Sequence, residues 1–270
     1  MMKKWIIVLL LLLLSGCQAH QDSERIVSLM PSNTEILYEM GLGDKVVGVT
    51  TNDDYPADVH NKEKFDGFNL NKEQLLRVKP SLIVTHESAR TSQQKVLDAL
   101  EKKGIKVVYI KEAKRIEDID DTIMQVAEAA GHKKEGQKVA EQLNQEIAAV
   151  KQHFQHLVKR KIFIEVSSEP DIYTAGRETL FDDMLTQLGM ENVFHDLHGW
   201  QPVALETVVR RQPDVMVSTT GISKEVYVKK VKGRPGLDKT KVITLNDDWI
   251  TRPGPRMAKG LEELAKALDD

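Results

Sequence analysis

The chain predicts an α/β architecture: two Rossmann-like α/β lobes, one long backbone helix joining them, and a ligand cleft between the lobes. Three observations carry this. Short β-branched runs alternate with helical patterns in both halves, residues 116–159 read as helix with no strand signal, and the halves share a sparse internal repeat.

The N-terminus stands apart from the fold. Lys3 and Lys4 precede an unbroken apolar run from Trp5 to Leu14, followed by Ser15, Gly16 and Cys17. That run is too short for a membrane-spanning helix, which needs about twenty residues, so residues 1–16 are expected to be a signal peptide removed on export. Cys17 is the only cysteine. Its setting resembles the bacterial lipoprotein box, which implies a thiol that takes a lipid and becomes the new N-terminus, with residues 17–23 as a tether. A plain secretory signal with an incidental cysteine is the competing reading. No later apolar segment approaches spanning length, so the lipid is expected to be the only membrane anchor.

Four strand patterns, Arg25–Leu29, Val46–Thr50, Ser81–Thr85 and Lys106–Ile110, assign residues 24–132 to a first lobe. Three more, Lys161–Val166, Asp214–Thr219 and Lys241–Leu245, assign residues 160–270 to a second. Between them Gly131 breaks the helical stretch, leaving a helix from Lys133 to Val158 within a linking segment, 133–159. Its apolar positions Val139, Leu143, Ile147, Val150 and Phe154 follow three-to-four spacing. At 1.5 Å per residue this rod is roughly 35–40 Å long.

The repeat aligns Glu73 through Pro80 to Thr85 with Glu206 through Pro213 to Ser218. It also aligns Leu37 to Gly41 with Leu185 to Gly189, and Lys106–Ile110 with Lys241–Leu245. Helix, proline and strand follow one another in many α/β units, so chance punctuation competes with duplication of a lobe. Two related lobes place a cleft between strand-end loops, where ligands of such folds bind.

Charge and motifs narrow the function. Removing Lys3 and Lys4 from the 38 basic residues leaves 36 against 41 acidic ones, a formal charge of −5 with no long run of either sign, so no nucleic-acid partner is expected. No nucleophile elbow, phosphate loop, dinucleotide fingerprint or zinc-protease helix is present. The pairs Asp53-Asp54 and Asp247-Asp248 read as solvated loop acids. The histidine pairs His153 with His156 and His195 with His198 lack a third ligand, so no metal site is expected.

Aromatic residues are the more informative candidates. Trp200 and Trp249, the two tryptophans beyond the signal segment, fall in polar, loop-like contexts. Tyr55, in Asn52-Asp-Asp-Tyr-Pro56, and Phe68, in Asp66-Gly-Phe-Asn69, are possible counterparts in the first lobe. Flat exposed rings suit a large flat ligand, although packing of loop aromatics is the structural alternative. His86 follows a strand where the cleft should lie and is positioned to contact a metal chelate.

These segments resemble the substrate-binding proteins of iron-chelate and cobalamin ABC importers, with two lobes and a single helical spine. The likeness rests on Arg25 through Pro31-Ser-Asn-Thr-Glu35, Asn52 through Pro56, Glu73 through Thr85, Tyr173-Thr-Ala-Gly176, Trp200-Gln-Pro202, and Asp248-Trp249-Ile-Thr-Arg252-Pro-Gly-Pro-Arg256. The opening and closing segments are most similar to the cobalamin binders. The resemblance implies no intrinsic cofactor, no enzyme activity, and a monomer that delivers cobalamin or a related corrinoid to a permease with its ATPase. It implies that Tyr55, Trp200, Asp248 and Trp249 line the ligand site. Phe68 and His86 stand near places where those proteins often carry tryptophan, so haem through His86 or a ferric siderophore is the alternative cargo. Arg252 and Arg256 are expected at the rim. Glu73 and Glu206 match the carboxylates that dock on permease arginines, while a favourable charge at a helix N-terminus is their structural explanation. A lipid-anchored envelope enzyme is the remaining reading and would need an acid–base or metal pair.

Overall fold

A computed structural model describes residues 24–270. The signal segment and Cys17 lie outside the described residues.

The first half builds a parallel five-stranded sheet from β1 (Ile26–Ser28), β2 (Val46–Thr50), β3 (Glu63–Phe65), β4 (Leu82–His86) and β5 (Lys106–Ile110), in the order β3-β2-β1-β4-β5. The second builds a parallel four-stranded sheet from β6 (Lys161–Glu165), β8 (Glu191–Asn192), β10 (Val215–Ser218) and β11 (Lys241–Thr244), in the order β11-β10-β6-β8. A two-stranded antiparallel ribbon, β7 (Tyr173–Ala175) with β9 (Trp200–Pro202), stands beside it. Most of the strands read from sequence are largely buried, which leaves apolar runs without alternation, while the edge strands β5 and β11 are half-buried. β3, β7, β8 and β9 span two or three residues each and carry no measurable period. His86, expected just beyond its strand, is the last residue of β4.

The repeat holds at the level of backbone conformation. The first helix, α1 (Pro31–Glu39), is followed by Gly41 at φ 77°, and its aligned partner α7 (Leu180–Gln187) by Gly189 at φ 72°. In the other aligned unit, α2 (Lys72–Arg77) and α8 (Leu205–Arg211) lead to Lys79 and Gln212, each just before its proline. Their φ values are 46° and 50°. Left-handed backbone is uncommon for residues with a Cβ, so its recurrence at aligned positions favours duplication over chance. β4 and β10 also hold equivalent places, each between the first and last strand of its half.

Between the halves run α5 (Asp118–Ala129) and α6 (Lys133–His153). Gly131, at φ 72°, separates them as expected. α6 stops five residues earlier than its pattern suggested, giving 21 residues and about 31 Å. Phe154 turns inward as the closing residue, and Val158 is exposed, so another turn would bury nothing. Val139, Leu143, Ile147 and Val150 face one continuous core cluster that reaches from β1 and α1 to β6, β10 and the last helix, α11 (Met257–Asp269). Each sheet covers its other face with a separate cluster, around Phe65, Leu75 and Leu97 in the first half and Phe163, Phe194 and Tyr227 in the second. The helix is therefore part of a shared core.

Gly136 sets the approach of α6 to α5, because a Cβ there would fall on the Ala127 Cβ. Gly136→Leu is expected to lower stability by about 1–3 kcal/mol through overpacking, read as a reduced midpoint of chemical unfolding.

Candidate functional site

The sequence-selected residues of the first half stand at the carboxyl edge of its sheet. Tyr55 follows β2, Phe68 follows β3 and His86 ends β4. In the second half, Asp248, Trp249 and Arg252 follow β11, and Trp200 opens β9. Open parallel sheets bind ligands at this edge because helix N-termini and variable loops converge there.

The structure places three of these residues in two separate cavities and leaves Phe68, Asp248, Trp249 and Arg252 outside both. One cleft, roughly 780 Å³ including space open to solvent, draws its wall from both halves. Met30, Ser32, Asn33, His86 and Ile110 face Leu180, Phe181, Trp200, Ile250, Thr251 and Pro253 across it. Trp200 is 44% exposed, and its ring meets Phe181 edge to face with centroids 5.6 Å apart. Within the sequence-selected set, the cleft brings together His86 and Trp200.

Tyr55, 42% exposed, lines a second, polar crevice of roughly 510 Å³ beside Glu39, Val139, Leu143 and Glu146. The Arg256 guanidinium lies over its ring, 4.2 Å from the centroid. Trp249 is neither in a loop nor on the cleft wall. It is half-buried in the short helix α10 (Asp247–Thr251), capped by Asn246, with its carbonyl packed against Gly260. Trp200 likewise lies in a strand, because β7 pairs with it. Phe68 is 83% exposed.

Arg252 is committed to a charge cluster that ties the halves together. Its Nη1 donates to Glu35 Oε1 at 3.1 Å and to Asp54 Oδ1 at 2.6 Å. Its Nη2 donates to the Asn52 carbonyl at 3.3 Å and pairs with Asp248 Oδ1 at 2.6 Å. Arg256 completes a bidentate pair with Glu35, Nε donating to Oε2 at 2.7 Å and Nη2 to Oε1. Glu35 is 3% exposed. Burial pushes Arg252 down, but its carboxylate partners outweigh this and hold its pKa above the ordinary value. Burial alone would raise Asp54, yet the bond from Arg252 keeps it low. Asp248 is raised by burial, reinforced by the charges of Asp54 and Asp247.

This corrects in part the reading of the acidic pairs as solvated loop residues: Asp54 and Asp247 are exposed, but Asp53 is buried and Asp248 half-buried. Asp54 and Asp248 both hold Arg252. Asp53 is buried and accepts from the Thr50 backbone N–H at 2.9 Å, and its burial raises it. The partners of Glu35 lie more than 200 residues away, so no local pattern announces them.

Three of the four paired histidines find individual acidic partners. His156 contacts Asp269 at 3.0 Å, His195 contacts Asp182 at 2.9 Å, and His198 contacts Glu178 at 2.8 Å. Among the described residues, no three His, Cys, Asp or Glu side chains gather to hold a metal, and no helix is long and apolar enough to cross a membrane. Glu73 and Glu206 are both exposed in the first turn of aligned helices, α2 and α8. The Glu73 carboxyl lies below its usual range, held by its own backbone N–H and by Lys72.

His86 lines the cleft, and its hydrogen bonds set its tautomer. Its Nδ1 accepts from the Ser88 backbone N–H at 3.2 Å, with the Ser88 hydroxyl 2.9 Å away. A nitrogen that accepts a backbone N–H carries no proton. In the neutral ring the proton is then on Nε2.

Comparison with known proteins agrees with this architecture. The family model described as periplasmic binding protein matches residues 26–246. The chain is 36% identical to the ABC transporter substrate-binding lipoprotein YvrC of Bacillus subtilis, itself uncharacterized, across 92% of this chain and 81% of that protein. It is 29% identical to the vitamin B12-binding protein of Vibrio parahaemolyticus, across 100% of this chain and 98% of that one. The crystal structure of a possible iron-binding, periplasmic solute-binding protein of Staphylococcus epidermidis superposes with a TM-score of 0.85 at 42% identity, covering 92% of this chain and 99% of that one. The chain belongs to the periplasmic binding protein family, whose members are the solute-binding components of ABC importers.

Proposed function

We propose that the protein captures a corrinoid, cobalamin for preference, in the cleft between its halves and delivers it to a permease with its ATPase, held at the extracytoplasmic face of the cell membrane by a lipid on Cys17. The cargo is the ligand being carried and no resident cofactor or catalysis is involved. Apolar and aromatic walls with a few convergent donors suit a large ring bearing peripheral amides. The B12-binding protein that matches this chain over its whole length supports the corrinoid, and the lipoprotein of Bacillus subtilis supports the anchor.

The single observation that favours a corrinoid over haem is the hydrogen bonding of His86. A histidine that ligates iron through Nε2 needs its proton on Nδ1, where it donates to an acceptor. Here a backbone N–H occupies that place, so the ring offers Nε2–H to a carbonyl. Trp200 supplies the stacking surface, and Phe68 is proposed to meet the periphery of a ligand too large for the cleft alone. Tyr55, Asp248, Trp249 and Arg252 join the site if the halves part at the Glu35 cluster. A ferric siderophore or haem is the second reading, favoured by the possible iron-binding description of the Staphylococcus epidermidis protein.

A visible absorption titration tests the choice. Cyanocobalamin is expected to bind saturably at one to one, with haemin and a ferric hydroxamate failing to saturate. A histidine-ligated haem spectrum would move the assignment to haem and reverse the tautomer of His86.

Glu73 and Glu206 are proposed to dock on permease arginines, one carboxylate for each half. Charge pairs across an interface contribute a few kcal/mol. The double change Glu73→Ala, Glu206→Ala is expected to reduce uptake at least about tenfold in a reconstituted transporter while cargo affinity stays unchanged.

A further inference from the structure

The amino edge of the two sheets, away from the cleft, carries its own charge pattern. β1, β4 and β5 start level with one another there, since Ile26 pairs with Leu82 and Leu82 with Lys106. The chain enters at the same place. The Arg25 carbonyl accepts from the Ser81 backbone N–H at 2.9 Å, and Arg25 Nε donates to the Val78 carbonyl at 2.8 Å. Around this entry stand Arg77, Lys79, Lys102, Lys103 and Lys106, all exposed. Nearby Lys45, Lys133 and Lys159 are paired with Glu24, Glu128 and Glu191, whereas none of these five has an acidic partner among the described residues. A second cluster stands at the start of the other sheet, where Lys161 and Lys241 open β6 and β11 beside Arg160. Burial, and then the charge of Arg160, hold Lys241 below its ordinary value.

Two simpler explanations fall short. Helix C-termini favour cations, which accounts for Arg77 and Lys102 at the ends of their helices, but Lys79, Lys161 and Lys241 end no helix. The chain beyond the signal segment is acidic, with 36 basic against 41 acidic residues, so the basic edge is a segregation of charge. α6 connects the clusters: His132 at its start contacts Lys45 at 2.8 Å, and β6 follows its end. About 31 Å of helix lies between them, a span that fits an extended anionic surface and not a small anion. Cys17 precedes Glu24 by seven residues, which reach at most about 25 Å.

We propose that this edge rests on the anionic phospholipid headgroups of the membrane that holds the lipid of Cys17, leaving the cleft open to the medium. The tether argument rests on Cys17 carrying that lipid; the charge pattern stands without it. Cations close to an anionic bilayer each contribute modestly, so a fixed row of them orients a molecule that the lipid anchors. Glu73 and Glu206 stand in the first turns of helices that begin at the opposite edge, so delivery to a permease turns the molecule over. The tether allows both poses, because its reach exceeds the roughly 17 Å of the five-residue strand β4.

The test uses residues 18–270, the chain without its signal segment and lipid-bearing cysteine, sedimented with vesicles of equal parts phosphatidylglycerol and phosphatidylcholine or of phosphatidylcholine alone. Saturable binding to the anionic vesicles only, released by salt, is the expected result. The triple change Lys79→Gln, Lys102→Gln, Lys103→Gln is expected to lower that affinity about a hundredfold. Lys95→Gln, Lys114→Gln, Lys259→Gln removes the same charge from exposed positions at the carboxyl edge and is expected to bind as the wild type does. Lipidation is read separately, from the mass of the exported protein, so a missing lipid and an inert edge are told apart. Absent binding to anionic vesicles, equal binding to neutral ones, or equal losses in the two triple variants would overturn the inference. Tighter binding to soluble polyphosphate than to the vesicles would also overturn it, by making the partner a linear polyanion.

Discussion

Glu35→Ala is expected to destabilise the protein by about 3–5 kcal/mol, the loss typical when one partner of a buried ion pair is removed. Glu35 is the shared acceptor of two arginines from the other half of the chain. Alanine would strand the Arg256 charge in a buried place, and Asp54 and Asp248 can compensate only Arg252. Equilibrium unfolding in urea measures the effect. Because Arg256 also covers Tyr55, the variant is expected to expose that ring to quenchers. A loss below about 1 kcal/mol, the range of exposed pairs, would show that the cluster is solvated and does not join the halves. Replacing Glu35, Arg252 and Arg256 together by apolar residues is expected to recover much of the stability, since the desolvation of the charges is then removed along with their attraction.

The second large effect is on binding. Trp200→Ala is expected to weaken cargo affinity by about 2–4 kcal/mol, the range of a central aromatic anchor, which is roughly 30-fold to 1,000-fold. Trp200 is 44% exposed and meets Phe181 edge to face, so nearly half of its surface is free for a ligand. The same exposure limits the stability loss to about 1 kcal/mol. Calorimetric titration and thermal unfolding of one preparation separate the two. Equal affinity in the variant would remove Trp200 from the site, and a collapse of the fold would make it a core residue.

Much of this architecture is legible in the sequence, because a parallel sheet buried on both faces needs long apolar runs and a 21-residue helix shows its period six times over. The family resemblance reinforced that reading. What escaped was of two kinds. Strands of two or three residues, such as β8 and β9, owe their pairing to neighbours far along the chain. The charge cluster also joins residues more than 200 positions apart: Arg252 reads as a free rim cation until Glu35, Asp54 and Asp248 are seen around it. Tyr55 illustrates the reverse limit, since its place after β2 was readable but its crevice beside α6 was not.

The most direct test of capture in the cleft between the halves is a tryptophan fluorescence titration of residues 24–270 with cyanocobalamin, run on the wild type and on Trp200→Ala. The fragment has two tryptophans, Trp200 on the cleft wall and Trp249 beside it. Saturable one-to-one quenching in the wild type, with most of the signal and the affinity lost in the variant, is the expected result. Undiminished quenching and affinity in Trp200→Ala, or no saturation in either protein, would contradict it.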